Sequence, residues 1–487
     1  MRCALVIPAW RPEELFPAKT ASAQVNYWQP LGTLYVAACL RQAGHEVRFY
    51  NGAFTGHDEI LREVRAWRPD LAGIYSTTFG WPKALHTARD LKAIDRALFV
   101  CVGGPYPIAR PRECLDDAHR DVDAVVTGEG EQTLVELADR LATGRSLDGV
   151  AGVAFRRERC VVVNPPRPLI EDLDALPLPA RDLLGDAGRY LPPPATYKRA
   201  PVAVMITSRG CNRRCIFCSQ IDRKRRSGNH GIRFRSVDSV VREIEQCLAL
   251  GYREIKFLDD SLAADYERLM ALTREIRMRR LDFTWFASAC VNQVDEPLLR
   301  AMKAAGCWAV LLGAESGVQK NLNTLRKGIT LDQTRAAVKA AKAAGLRVST
   351  PFVFGIPGET YEEALQTIEF AIELDPDLAN FHALTAFPGT PLHDNLPHYG
   401  RVSGRLDEYT YQGASFEPYT LTRAQIQALR QLAFRRFYSR PSFLARRVLG
   451  LRTWHDCKAA FYGAKSLIGI WGRRNPFDRG EADPAST

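Results

Sequence analysis

The sequence predicts an α/β protein: two successive strand–helix units on parallel strands, followed by a small, mainly helical C-terminal region. Short apolar runs alternate with helical patterns twice, once within residues 1–145 and again within 199–398. Between them Pro165, Pro166, Pro177, Pro179 and Pro192 to Pro194 mark a connecting region over residues 146–198. Residues 399–487 form the helical region, with a polar tail after Asn475. A chain of 487 residues is too long for one small core, and 46% hydrophobic with 25% charged residues is an ordinary globular composition.

In the first unit Cys3–Ile7, Glu46–Tyr50, Leu71–Tyr75, Leu98–Val102 and Asp123–Val126 read as parallel strands. Gly32–Gln42, Asp58–Trp67, Pro82–Ile94 and Gln132–Leu141 read as the intervening helices, which makes a doubly wound, Rossmann-like sheet. Such sheets bind ligands outside the carboxyl ends of their strands. The loops there carry Ser76, Thr77 and Thr78; Gly103, Gly104 and Pro105; and Thr127, Gly128, Glu129, Gly130 and Glu131. Glycines let a large flat ligand approach the backbone, and hydroxyl and amide groups supply hydrogen bonds. Each loop alone is also what an ordinary turn looks like; three on one rim mark a ligand face. The first strand runs into Pro8-Ala9-Trp10-Arg11-Pro12 without a G-x-G-x-x-G fingerprint, which argues against a nicotinamide cofactor.

The second unit opens on the strand Val202–Thr207, and Ser208-Arg209-Gly210 carry it into Cys211-Asn212-Arg213-Arg214-Cys215-Ile216-Phe217-Cys218. Three thiolates within eight residues can wrap one face of a cubane iron–sulfur cluster and leave a fourth iron open to a small ligand. Zinc is the structural alternative, yet no fourth cysteine or histidine stands close by, His230 being the nearest histidine. Three unliganded thiols beside Arg209, Arg213 and Arg214 are the remaining reading. Strands over Glu254–Leu258, Phe283–Ala287, Trp308–Gly313, Arg347–Phe354 and Ala379–Ala383 follow. They alternate with helices over Val237–Leu250, Tyr266–Arg279, Pro297–Ala305, Leu331–Ala344 and Tyr361–Leu374. Ligand chemistry gathers at the carboxyl ends of such strands, where Asp259, Asp260, Glu315 and Ser316 stand, each also a candidate helix cap or first-turn charge.

C-x-x-x-C-x-x-C with an aromatic residue before the last cysteine resembles the signature of the radical S-adenosylmethionine superfamily. The resemblance implies a [4Fe–4S] cluster on Cys211, Cys215 and Cys218, with Phe217 near the adenine, in an incomplete (β/α)6 barrel. It also implies Glu315, in Gly313-Ala314-Glu315-Ser316-Gly317, for the ribose and Asp260 for the amino group of S-adenosylmethionine. Ser349, Gly355 and Pro388 complete that set, the last two in the turns Gly355-Ile356-Pro357-Gly358 and Phe387-Pro388-Gly389-Thr390-Pro391. From the residues alone those turns need only end their strands tightly.

Over roughly residues 1 to 400 the arrangement resembles the cobalamin-binding radical enzymes, a family holding the anaerobic magnesium-protoporphyrin ring cyclase and the class B methyltransferases. Its hallmarks are Pro30-Leu31-Gly32-Thr33-Leu34-Tyr35, Val102-Gly103-Gly104-Pro105 and Gly128-Glu129-Gly130-Glu131. The implied cobalamin contacts are Leu31, Ser76, Thr77, Thr78, Gly103, Gly104, Pro105, Gly128, Glu129 and Gly130. The Asp-x-His-x-x-Gly sequence of many such domains is missing, since Asn51-Gly52-Ala53 and Thr55-Gly56-His57 do not match it. Cobalamin is therefore expected without a histidine below cobalt, the alternative being a domain that has lost the cofactor.

The resemblance implies methyl transfer from methylcobalamin to an unactivated carbon of a small or partly hydrophobic metabolite, with electrons from a flavodoxin or ferredoxin. A cyclase, oxidase or rearrangement enzyme without net methyl transfer is the alternative, and a B12-binding sensor or scaffold is the non-enzymatic one. Methylthiolation fits poorly, because Cys3, Cys39 and Cys101 lack the local pattern of a second cluster. Apart from the trio the cysteines are scattered and imply no disulfide framework. No stretch has the apolar length of a bilayer span and Met1 to Pro8 is too short for a secretion signal, so a cytoplasmic location is expected. The net charge of +11 is a modest excess that does not call for a nucleic acid partner. Helical patterns over Leu421–Tyr438, Leu444–Leu451 and Ala459–Trp471 read as a cap on the open barrel, with a basic amphipathic contact to an anionic lipid surface as the second reading.

Overall fold

The computed structural model describes residues 1–16, 21–158, 160–219, 231–410, 413–451 and 453–471. His230 and the polar tail after Asn475 lie outside the described residues.

Five parallel strands, β1 (Arg2–Ile7), β2 (Glu46–Asn51), β3 (Leu71–Tyr75), β4 (Phe99–Gly103) and β5 (Ala124–Val126), lie in the order β2-β1-β3-β4-β5. The expected helices appear as Leu31–Gln42, His57–Trp67, Trp81–Ile94 and Gly130–Ala142, joined by a short Pro111–Ala118 helix between β4 and β5. Strands buried on both faces need apolar residues at every position. Cys3, Ala4, Leu5 and Val6 meet that need, feeding one core on each side of the sheet. The order reverses between β1 and β3, which places the ligand rim at the carboxyl ends of β1, β3, β4 and β5.

One feature corrects the all-parallel expectation. The connecting region supplies a hairpin, β6 (Val153–Arg157) and β7 (Cys160–Val163), that extends the sheet antiparallel from β5. The start of the connecting region is thus part of the sheet, because Val153, Ala154 and Phe155 bury themselves on its edge.

The second unit is an open, all-parallel sheet in the order β15-β14-β13-β12-β11-β8. Its strands are β8 (Val202–Met205), β11 (Glu254–Phe257), β12 (Thr284–Ala289), β13 (Cys307–Leu312), β14 (Arg347–Phe354) and β15 (Leu378–Ala383). A two-residue ribbon, β9 (Ser208–Arg209) with β10 (Arg233–Phe234), follows β8. Helices start where the sequence offers a cap: Ser236, Asp265, Asp295, Thr330 and Thr360 each accept a backbone N–H of the first turn. A second ribbon, β16 (Gly400–Val402) with β17 (Phe416–Pro418), leads to the C-terminal helices Arg423–Tyr438, Pro441–Leu449 and Trp454–Trp471.

A sheet that does not close leaves two edges of unpaired backbone groups. At β8, Val204 N–H donates to Gln29 Oε1 (3.2 Å) and Val204 O accepts from Arg181 Nη2 (2.6 Å). At β15, Ala379 N–H donates to the Tyr438 hydroxyl (3.0 Å), which donates back to Ala379 O (2.8 Å), while Arg430 Nε donates to Phe381 O (3.1 Å). The Arg423–Tyr438 helix therefore caps the open barrel, its Ile426, Leu429, Ala433 and Phe437 joining the barrel core.

Tyr438→Phe leaves both Ala379 groups without partners and should destabilise the protein by about 1–3 kcal/mol. Tyr419→Phe, which loses an exposed hydroxyl bonded to Pro397 O, should change stability by less than about 0.5 kcal/mol. Thermal unfolding of the two variants side by side measures the difference.

Candidate active site

The cysteine loop leaves β9 through Gly210, whose φ of 96° is left-handed and whose missing Cβ would sit 3.1 Å from Gly231 O. It is held from two sides. Ile216 N–H donates to Leu325 O (3.1 Å), and Ile216 O accepts from Leu392 N–H (2.9 Å). Phe217 packs half-buried on the same small core as Ile216, Leu325 and Leu392, and Pro388 is buried in the loop that presses on it.

Cys215 is buried, Cys211 and Cys218 half-buried. Burial pushes the Cys215 thiol up to about 12; the Lys327 charge opposes this and the nearby Cys218 and Cys211 thiols add to it. A buried thiol with two further thiols near enough to act on it is a donor set a metal cluster would stabilise by binding all three. The residues present therefore fit an iron–sulfur cluster.

Glu315 ends β13 in a left-handed conformation (φ 63°), bridged to β14 through Glu315 N–H to Pro351 O (2.9 Å) and Val353 N–H to Glu315 O (2.8 Å). Its Oε1 lies 2.6 Å from Lys327 Nζ. A Cβ on Gly313 would come within 2.7 Å of both atoms, so the glycine makes room for this pair. Lys327 was not legible as a site residue: it sits in an Arg326-Lys327-Gly328 turn with no motif to mark it.

The two aspartates after β11 separate. Asp259 is buried, its Oδ1 accepting from Thr207 N–H (3.0 Å), Thr207 Oγ1 (2.8 Å) and Ser208 Oγ (2.5 Å), and burial raises its pKa. Asp260 is exposed on the cavity described next. Ser349 stands third in β14 with its Oγ 3.5 Å from Asn380 Nδ2. Gly355 is packed from behind: its missing Cβ would meet Ile426 Cδ1 at 2.8 Å, and its N–H donates to Glu359 Oε2 (2.7 Å). Glu359 is buried, its carboxyl pushed by burial up to about 8, and it ties the turn together by accepting also from Ile356 N–H (3.2 Å) and Asn321 Nδ2 (3.2 Å).

Between the two units lies a cavity of about 370 Å³. The sheet rim contributes Tyr75, Gly103, Gly104, Pro105, Gly128, Glu129 and Gly130; the barrel contributes Ser208, Arg209, Gly210 and Asp260. A Cβ on Gly32 or Gly128 would meet nothing within 4 Å, and one on Gly103 only Val126 at ordinary contact distance. The floor is thus kept flat by glycines with open space above them, which fits a broad planar ligand. Gly104 is required for a different reason, since its Cβ would strike Ser76 O at 2.5 Å. No histidine is among the described lining residues, and His57 instead bonds Asp90 (2.7 Å) between two helices.

Leu31, Ser76, Thr77 and Thr78 do not line the cavity. Leu31 packs with Tyr35 and Val204 at the junction of the units, Ser76 N–H donates to Gly103 O, and Thr77 Oγ1 accepts from Gly80 N–H. Tyr106 packs on Trp81, and Tyr409 packs near Phe387.

Glu129 lines the cavity, but its carboxylate faces the barrel. Oε1 accepts from Arg209 Nη1 (3.0 Å) and Arg233 Nη2 (2.9 Å); Oε2 accepts from Arg233 Nη1 (3.0 Å) and Ile170 N–H (2.8 Å). Glu131 accepts from Arg209 Nη2 at 2.5 Å. Burial disfavours the charge on Glu129, yet the Arg233 hydrogen bonds and the Arg209 charge outweigh it and hold the carboxyl below its ordinary range. A second, deeper cluster joins Arg181 to Glu243 (2.7 Å) and Glu243 to Arg235, whose guanidinium also reaches the Tyr35 hydroxyl (3.4 Å).

Fold and site together define a radical iron–sulfur enzyme whose open barrel faces a second, cofactor-binding sheet. The radical SAM superfamily profile matches residues 205–371, and the B12 binding domain profile matches residues 21–138. An uncharacterized methyltransferase of Pyrococcus horikoshii is 36% identical over 459 residues, covering 91% of this chain and 94% of the relative. The anaerobic magnesium-protoporphyrin IX monomethyl ester cyclase of Rubrivivax gelatinosus is 27% identical, covering 86% of this chain and 75% of the relative. The solved structure of the cobalamin-dependent radical enzyme OxsB, with aqua-cobalamin and S-adenosylmethionine bound, superposes with a TM-score of 0.74 at 15% identity, covering 96% of this chain and 72% of that one. The chain belongs to the cobalamin-dependent radical S-adenosylmethionine methyltransferase family. Its cofactors are a [4Fe–4S] cluster, S-adenosylmethionine and cobalamin.

Glu129 has a folded pKa below its unfolded value of 4.5, so its stabilisation is present above that pH and is lost as pH falls through the folded value. Glu129→Gln should cost about 3–5 kcal/mol at neutral pH, as expected when one partner leaves a buried ion pair. It should also flatten the decline of stability below pH 4.5, which chemical denaturation at a series of pH values would show.

Proposed function

We propose that this enzyme transfers a methyl group to an unactivated carbon of a small, partly hydrophobic metabolite, and that the reaction takes place at the interdomain cavity. One observation carries the reading: a single cavity is lined both by the glycine rim of the B12 binding domain and by the barrel's Asp260 and Ser208, Arg209 and Gly210, the last three leading into the cysteine loop. When bound, the cofactors supply reductive formation of a carbon radical and a transferable methyl group.

The chain's own residues do the holding. Cys211, Cys215 and Cys218 would ligate the cluster, with Phe217, Asp260, Glu315, Ser349, Gly355 and Pro388 proposed around S-adenosylmethionine. Gly103, Gly104, Pro105, Gly128, Glu129 and Gly130 would bound the corrinoid, Leu31, Ser76, Thr77 and Thr78 supporting it from behind the cavity wall. Arg209, fixed by Glu129 and Glu131, closes the side of the cavity between the two units and fixes the separation of the two cofactor sites. The proposed location is the cytoplasm, with a flavodoxin or ferredoxin as reductant. Among the described residues no helix is long and apolar enough to cross a membrane.

Cyclisation without net methyl transfer is the second reading, favoured by the likeness to the Rubrivivax cyclase over 86% of the chain. Anaerobic turnover with methyl-labelled S-adenosylmethionine separates the two: label in the product supports methylation, and 5′-deoxyadenosine with no label in any product supports cyclisation. Cys215→Ala should lose cluster iron and all 5′-deoxyadenosine; if deoxyadenosine formation persists, the assigned ligands are wrong. Gly103→Leu should lower retained cobalamin by about tenfold or more by filling the open floor, with cluster iron unchanged.

A further inference from the structure

The apolar residues left on the surface are not evenly spread. Leu444, Val448, Leu449, Leu451, Trp454 and Phe461 all lie within eighteen residues of the two last helices. Trp454 is 84% exposed, Leu449 80%, Val448 66% and Phe461 66%. Leu444, Val448 and Leu451 recur at helical spacing and so continue one side of the Pro441–Leu449 helix. The opposite side is spent on the barrel: Phe443 packs on Phe437 and Tyr438 at ring separations of 5.6 and 5.1 Å, and Arg447 lies half-buried over Phe443. The Trp454–Trp471 helix likewise turns Leu467 to the core while Phe461 points out. Each helix is thus anchored by one face and bare on the other.

Charge makes the bare face specific. Residues 435–471 hold eight arginines and lysines against one acid, Asp456. Asp456 is turned inward, accepting from Thr453 N–H (2.9 Å) at the start of its own helix. Arg436, Arg440 and Arg446 anchor the region by pairing with Glu369 and Asp375. Lys458 is exposed one turn from both Trp454 and Phe461, Arg435 is exposed on the preceding helix, and Arg473 and Arg474 follow in sequence. Aliphatic residues, a tryptophan and cations on one helical face are what a bilayer interface takes: the apolar groups enter below the headgroups while arginine and lysine meet lipid phosphate. No described helix is long and apolar enough to go further.

We infer that the exposed face of the Pro441–Leu449 and Trp454–Trp471 helices docks on the surface of an anionic phospholipid bilayer. The inference goes beyond the proposed function and does not rest on it; the docking rests on the two helices. Docking would bring the amino-terminal end of the barrel strands, where these helices pack beside Arg347 and Asp375, toward the membrane without a spanning segment.

The test is flotation of the full-length, cluster-loaded protein with vesicles of phosphatidylglycerol and phosphatidylcholine, against phosphatidylcholine alone, at physiological salt. Binding to the anionic vesicles should exceed binding to the neutral ones by about tenfold or more, and should fall by a similar factor in Leu449→Asp/Trp454→Asp. Both side chains are exposed, so the variant should keep its iron content and its 5′-deoxyadenosine formation, which are read separately and report on the proposed chemistry alone. A blue shift of tryptophan emission on vesicle binding should shrink in Trp454→Phe. Equal binding to neutral vesicles overturns the anionic assignment; no flotation, or undiminished flotation of the double variant, overturns the docking face. Concentration-dependent self-association abolished by the double variant, without vesicle binding, assigns the face to a second copy of the chain instead.

Discussion

An unclosed parallel sheet is the constraint on which the rest of this structure depends. Six strands are too few to close, and each free edge exposes backbone groups that cost free energy if buried without partners. The two edges are satisfied by different parts of the chain. Gln29 from the N-terminal unit and Arg181 from the connecting region cover Val204 on β8, and Tyr438 and Arg430 from the C-terminal helix cover Ala379 and Phe381 on β15. Neither appendage is therefore optional to the barrel. The gap that remains unfilled, at the carboxyl ends of the strands, is where a second cofactor domain can face the cysteine loop.

Charge then sets how the two units face one another. Arg209 and Arg233 meet Glu129, while Arg181 and Arg235 meet Glu243 in a layer where both side chains of the Arg181–Glu243 pair are almost wholly buried. Buried ion pairs add little net stability beside an apolar alternative, but an unpaired member is costly, so displaced arrangements of the units are strongly disfavoured. Tyr35 belongs to both layers: its ring lies 5.5 Å from the Arg209 guanidinium and its hydroxyl takes a hydrogen bond from Arg235. The cavity keeps its width because these polar contacts have one satisfied geometry, whereas an apolar junction could slide.

What was legible in the sequence follows from range. Strands and helices came within a few residues of their observed bounds because periodicity and capping are local; Thr360 and Glu363, three residues apart, form a capping box readable on the page. The cysteine loop was legible for the same reason. The partners of Glu129 were not: the Gly-Glu-Gly-Glu rim loop places it on the ligand face, while the arginines that hold its carboxylate lie 80 and 104 residues away. The helix carrying Ile426 was legible as a cap on the barrel, but its contact behind Gly355 joins residues 71 positions apart and no local pattern announces it. The β6–β7 hairpin is a short edge pair directly before a run of prolines, and four or five residues a strand carry too little periodicity to stand out from such a linker.

Glu315 shows how strain and charge meet at the centre. A left-handed conformation is unfavourable for a residue with a Cβ, and here both its N–H and its C=O are claimed by β14, which leaves the backbone no relaxed alternative. The side chain is thereby aimed at Lys327, and Gly313 is the residue that permits the approach. Removing charges from water would push Lys327 toward its neutral form, but Glu315 and then Cys215 outweigh burial and keep it a cation. The buried region around the cysteine loop thus holds one cation between a carboxylate and a thiol whose ionisation burial opposes. A cluster held as proposed by three thiolates would concentrate negative charge, and Lys327 is a fixed positive charge the fold supplies beside Cys215. The strain at Glu315 is offset by that electrostatic pairing, which places the carboxylate and the cation together at the point where β13 opens toward the cofactors.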